Sequence, residues 1–144
     1  MQLSEAERSV GYLVKRVQQG LRRRCDTALK PTGLSMAQYA TLRALAEHPD
    51  ASAAELARLC FVTRQSLQDM LAGLRAAGLV ETADTPPRGR SRSLALTRLG
   101  SRRLSAAHDA VFAAEAVMLK GVSAREQRDI ADALARCAVN LERD

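Results

Sequence analysis

A short polar run, Thr63-Arg64-Gln65-Ser66, followed by Gln68 and Asp69, heads a stretch whose apolar positions are Leu67, Met70, Leu71 and Leu74. On a helix the apolar four form one side, and the polar six fall on the other side or at the N-terminal end. The chemistry on offer is recognition rather than catalysis. Arginine can fork to guanine, glutamine can pair with adenine, and hydroxyls suit phosphates or base edges. The unpaired N–H groups of a helix start add an anion site. Asp69 either accepts from cytosine or only orients Arg64 or Gln65. Taken alone, this face fits an ordinary solvated helix equally well.

A second constellation decides between the two. From Thr85 to Arg103 the chain carries six arginines (Arg88, Arg90, Arg92, Arg98, Arg102, Arg103) and no acidic residue. In a chain of net charge +6, such concentration is self-repulsion unless a polyanion faces it. A helix followed by a basic loop suits duplex DNA, the helix entering the major groove and the loop following the backbone toward the minor groove. Arg22-Arg23-Arg24 lies in a helix with an apolar opposite side and reads as solvent surface first, peripheral phosphate contact second.

A length of 144 residues corresponds to one domain, or to one domain plus an oligomerisation element. The hydrophobic fraction is 47%, much of it alanine, with aromatics at 3% and no tryptophan. Such a core suits packed helices better than sandwiches or barrels. The expected class is mainly α with a small β-wing. The sequence pI of about 9.9 favours a polyanionic partner. Lys15, Lys30 and Lys120 are the only lysines, so nearly all the positive charge is the planar fork of arginine.

Cys25, Cys60 and Cys137 lie far apart, with no C-x-x-C and no histidine at ligand spacing. A reduced, cytoplasmic protein is expected, with no disulfide framework and no metal. All three cysteines fall at core-like positions, and a cysteine-based redox switch is the alternative. His48 and His108 fit no triad or metal pattern, and no glycine-rich phosphate loop is present. No enzyme and no cofactor are expected. No apolar run approaches a membrane span, and MQLSEAERS is too polar for a signal peptide.

The positioning elements announce themselves through caps. Ser4-x-x-Glu7, Ser35-x-x-Gln38, Ser52-x-x-Glu55 and Ser123-x-x-Glu126 all match the capping box. The first predicts a helix from about Glu5 to Leu29, with Val10, Leu13, Val14, Val17, Leu21, Cys25 and Ala28 as its apolar stripe. A second helix, Met36 to His48, turns Tyr39, Leu42, Leu45 and Ala46 inward, and Pro49 closes it. A third runs from Ser52 to near Cys60, Phe61-Val62 makes a turn, and Thr63 caps a fourth that ends at Ala77 with Gly78 as C-cap. Val80 to Asp84 and Arg92 to Leu96 read as short strands around a proline-rich loop. A fifth helix starts at Thr97, with Leu104, Ala107, Val111, Ala114 and Met118 on one face, and Gly121 breaks it. A sixth, Ala124 to about Leu141, aligns Ile130, Leu134, Cys137 and Leu141. The long outer helices lack an obvious partner within one chain, which points to a two-fold dimer and to paired half-sites in DNA.

At these residues the chain resembles the MarR (multiple antibiotic resistance regulator) family. The matching text is LSMAQYATLRAL (Leu34 to Leu45), ELARLCFVTRQSLQDMLAGLRAAGLV (Glu55 to Val80) and LALTRLG (Leu94 to Gly100). The resemblance implies a winged helix-turn-helix homodimer of six helices that binds an inverted-repeat operator in double-stranded DNA. It further implies a repressor released when a small aromatic or phenolic molecule binds between the dimer helices and the reader. On that pattern 1–144 is one domain, with 35–97 as the DNA-binding lobe and 1–30 and 98–144 as the helical dimerisation region.

The expected DNA contacts are Thr63, Arg64, Gln65, Ser66, Gln68 and Asp69 on the helix, and Arg88, Arg90 and Arg92 on the wing. Arg90 matches the wing-tip arginine. Where the family commonly has Asp-x-Arg, this chain reads Arg88-Gly89-Arg90, so a looser, more charged wing is expected. Met36 and Tyr39 are the expected effector-lining residues, with plain core as their alternative. Oxidant-sensing relatives carry a cysteine near the position of Gly11 here, several turns before Cys25. A ligand-independent architectural DNA binder and a protein-binding winged-helix module are the competing functions. Steep salt dependence and a large preference for one palindrome separate them.

Overall fold

Serine and threonine caps set the helix boundaries. The computed structural model describes residues 2–83 and 94–143. Among these, six α-helices and one hairpin run in the order α1 (Val10–Leu29), α2 (Met36–Glu47), α3 (Ala53–Leu59), α4 (Arg64–Ala76), β1 (Val80–Thr82), β2 (Leu94–Leu96), α5 (Arg98–Met118) and α6 (Ala124–Glu142). Ser35 with Gln38 and Ser123 with Glu126 form reciprocal capping boxes. Ser52, Thr63 and Thr97 each accept the backbone N–H three residues on, satisfying a donor that the helix leaves free. Accepting the Ser123 N–H and hydroxyl bonds holds the Glu126 carboxyl below its usual range.

The first helix departs from expectation. Ser4 and Glu7 do cap reciprocally, at 2.7 and 3.2 Å, but they cap only a single 3-10 turn, Ala6–Arg8. Ser9 then leaves the helical region (ψ 150) and takes the Tyr12 N–H, restarting the chain as α1. A serine offers the backbone this alternative whenever it sits near a helix start.

The core joins both ends of the sequence to the middle. Leu29, Leu42, Leu67, Leu74 and Cys25 are wholly buried, with Leu45, Leu56, Leu71, Val80, Ala107, Val111 and Ala114 around them. Each large aliphatic side chain so buried contributes about 1.5–3 kcal/mol. In α2 the inward alanine is Ala44 rather than the expected Ala46, which is exposed. The apolar spacing is not followed strictly there, because Thr41 is also buried with its hydroxyl donated back to the Ala37 carbonyl.

The antiparallel hairpin pairs Val80 with Leu96, Glu81 with Ala95 and Thr82 with Leu94. Its strands are shorter than expected, and residues 84–93 lie outside the described residues. Two bonds tie the hairpin's exit to the end of α4. Thr97 N–H donates to Leu79 O at 3.0 Å, and its hydroxyl donates to Gly78 O at 2.6 Å. Gly100 completes this approach, since a Cβ there would stand 2.0 Å from Leu79 O.

Candidate nucleic-acid interface

Helix α4 sits on the core by Leu67, Leu71 and Leu74, with Met70 half-buried beside them. That anchoring turns Arg64, Gln65, Ser66, Gln68 and Asp69 to solvent, with Thr63 exposed at the N-cap. The six helix residues singled out from sequence therefore form one continuous polar surface on the helix's first two turns. Thr63 Oγ1 accepts from Ser66 N at 3.0 Å and donates to Ser66 Oγ at 3.0 Å, so these hydroxyls brace the helix start. The Gln65 amide donates from Nε2 to Asp69 Oδ1 at 3.2 Å, one turn along. Of the two roles open to Asp69, the one made within the protomer is orientation of Gln65. The bond leaves the Gln65 carbonyl and one amide hydrogen for a base edge, the pair that adenine requires.

Arg88, Arg90 and Arg92, and with them the expected loose wing, lie outside the described residues. Of the flanking arginines, Arg98 and Arg102 are exposed at the start of α5. Arg103 is different. Its Nη1 donates to Thr32 O at 3.1 Å, tying α5 to the turn that links α1 and α2. A run of arginines gives no signal that this one serves the fold.

The two expected effector-lining residues are separated by their surroundings. Met36 is half-buried against the core, whereas Tyr39 is only 3% exposed. The Tyr39 hydroxyl lies 3.3 Å from His108 Nδ1 on α5, the Arg43 guanidinium stands 5.6 Å from its ring centroid, and burial pushes its phenol up. Neither lines the groove of about 970 Å³ between α1 and α5. Leu13, Val17, Leu21, Ala114, Val117 and Met118 line that groove, along with Arg16, Arg23 and Arg24. Sequence reading gives those arginines no such role, because the seam appears only once α1 and α5 pack together.

The cysteines also sort differently from expectation. Cys25 is buried, and burial followed by the charges of Glu115 and Asp26 pushes its thiol up. Cys60 is only partly covered, and Cys137 is exposed. For Cys137 the reason is α6, which has no buried residue in the protomer; its apolar side, Ile130, Leu134 and Leu141 included, is open. The N-terminal half of α1 is open likewise through Val10, Leu13, Val14 and Val17. Among the described residues no helix is long and apolar enough to cross a membrane, and no group of His, Cys, Asp and Glu could hold a metal ion.

Comparison with known proteins places the fold in a family. Residues 32–91 match the model of the MarR family. The HTH-type transcriptional repressor Rv2887 of Mycobacterium tuberculosis is 38% identical over 120 residues, covering 83% of this chain and 86% of that repressor. The crystal structure of the same M. tuberculosis MarR family protein with salicylic acid superposes with a TM-score of 0.72 at 36% identity, over 90% of this chain and 96% of that one. Its complex with DNA gives a TM-score of 0.71 at 34% identity, over 90% and 97%.

Proposed function

The chain belongs to the MarR family, and from that premise we propose that it is a homodimeric transcriptional repressor acting on an inverted-repeat operator. The observation that carries the reading is the capped start of α4, where Thr63, Arg64, Gln65, Ser66, Gln68 and Asp69 stand exposed on a helix anchored from behind by Leu67, Leu71 and Leu74. In this reading α4 enters the major groove, and Arg88, Arg90 and Arg92 follow the backbone beside it. Residues 35–97 are the reading lobe, and 1–30 with 98–144 form the dimer stem. A chromosomal target puts the protein in the cytoplasm and gives it no catalytic task.

The dimer follows from burial. Two-fold pairing covers the open apolar sides of α1 and α6 and sets the half-sites about 34–36 Å apart, one helical turn of DNA. A small aromatic acid is the proposed effector, by likeness to the relative bound to salicylic acid. It would act at the junction of reader and stem, where Tyr39 of α2 meets His108 of α5 one turn from Met36, and change the half-site distance.

Selection of bound sequences from a random duplex pool tests this. A palindrome enriched by the wild-type protein, bound with a steep salt dependence, is the expected result. Addition of salicylate should weaken that binding. Affinity indifferent to sequence would instead favour an architectural role, and absence of salt-dependent binding would end the DNA reading.

A further inference from the structure

The ends of α3 and α4 are built alike but from different residues. Past α4, Gly78 N–H donates to Arg75 O at 3.0 Å and Leu79 N–H to Leu74 O at 2.9 Å. Past α3, Phe61 N–H donates to Arg58 O at 3.2 Å and Val62 N–H to Ala57 O at 3.0 Å. Both are the paired closing bonds of a Schellman turn, which needs one residue in the left-handed region. At α4 that residue is Gly78, with φ 76; at α3 it is Phe61, with φ 57. Every other described residue of positive φ is a glycine: Gly33, Gly78 and Gly121. A side chain in this region is strained where glycine is not.

Beyond the two closing bonds, the Phe61 side chain buries almost nothing in the described protomer that would offset that strain. Phe61 is 93% exposed, flanked by Leu59 at 42% and Val62 at 37%. A strained backbone carrying a solvent-exposed aromatic ring is costly twice over, and such outliers concentrate where a partner binds. The place is informative: Phe61 is two residues before Thr63, the N-cap of the reading helix. The patch is thus continuous with the polar face of α4.

We propose that Phe61 is itself a DNA contact, an apolar probe held beside the reading helix. Its ring packs on an apolar group at the edge of the major groove, either a deoxyribose or the 5-methyl of a thymine. The inference rests on α4 being the reader and adds a contact that carries no charge. An apolar contact releases no counterions, so it changes affinity without changing the salt slope.

Phe61→Gly and Phe61→Asn both remove the ring while accepting the left-handed backbone. Each is expected to fold as well as wild type or better, by urea titration. Each should bind the palindrome selected by the wild-type protein roughly 5- to 30-fold more weakly, with the salt slope unchanged. Phe61→Tyr should restore the affinity. Replacing half-site thymines by uracil then separates the sources: a loss in wild type that is absent from Phe61→Gly marks the methyl group, and no loss marks the sugar. Unchanged affinity in Phe61→Gly, or a changed sedimentation coefficient pointing to a protein partner, would overturn the proposal. If Arg64→Ala still weakens binding in that case, the reader stands and only the Phe61 contact falls. If the wild-type protein selects no sequence at all, both fall together.

Discussion

Helix α4 spaces Leu67, Leu71 and Leu74 along one side and buries all three within its own protomer. Helix α6 spaces Ile130, Leu134 and Leu141 in a similar way over a longer span and buries none of its residues. The two helices carry the same kind of stripe with opposite outcomes. Helix α4 closes on the shared core of its protomer, where Leu42, Leu45, Leu56 and Val80 join Leu29 of α1 and Ala107 of α5. Helix α6 and the first half of α1 are left open instead. In the proposed reading, the part that touches bases is therefore held within a single chain, while the distance between two such parts is set where a single chain is incomplete.

The sharpest way to break this contrast is to charge the stem. Leu134→Asp puts a carboxylate on the open side of α6, where a second copy would have to desolvate it. The expected protein is a folded monomer in sedimentation, with affinity for the full palindrome lower by roughly a hundred- to ten-thousand-fold as the two half-sites cease to be bound together. A thiol reagent should then reach Cys137 faster than in wild type, while Cys25, buried with its thiol pushed up, stays slow in both. A dimer with unaltered affinity would mean that α6 does not hold the stem.

The complementary change strikes the lobe. Leu67→Ala should lower stability to urea by about 2–5 kcal/mol, as a wholly buried leucine demands. The same loss is expected in the monomeric Leu134→Asp background, because distant sites add. If the cost of Leu67→Ala instead depends strongly on protein concentration, α4 is not closed within its own protomer and the contrast fails.

How much of this is legible in the sequence follows the same division. Caps are local, so Ser35 with Gln38 and Ser123 with Glu126 locate helix starts to the residue. Where two serines compete, as Ser4 and Ser9 do, the first cap passes for the start of the long helix. Periodicity identifies the stripe of α6 but carries no information on which copy covers it, and for that reason Cys137 reads as core. The choice of Ala44 over Ala46 depends on how α2 meets its neighbours, which spacing does not record. Arg103 is indistinguishable from its basic neighbours until Thr32 stands beside it. The left-handed turn at Phe61 is hidden because glycine is the signal for that conformation.

The smallest expected effects come from the polar face of α4, and they sharpen the contrast because they belong to one protomer. Gln65→Ala should relax preference at one base pair in each half-site by roughly 1–3 kcal/mol. Asp69→Ala does two things of opposite sign. Removing a carboxylate near phosphates raises affinity for every sequence, and releasing the bond to Gln65 blurs the choice at the same base pair by about 0.5 kcal/mol. Affinity alone cannot separate the two, but the ratio of matched to mismatched duplex can. If Asp69 acts only by aiming Gln65, Asp69→Ala changes that ratio in wild type and leaves it unchanged once Gln65 is alanine. A ratio that still moves in the Gln65→Ala background would instead assign Asp69 a base of its own, with cytosine as the acceptable partner. Because both residues lie on α4, the same coupling should be measured on a single half-site with the monomeric Leu134→Asp protein. Coupling that vanishes there would mean that the stem aims the reader's side chains as well as spacing them.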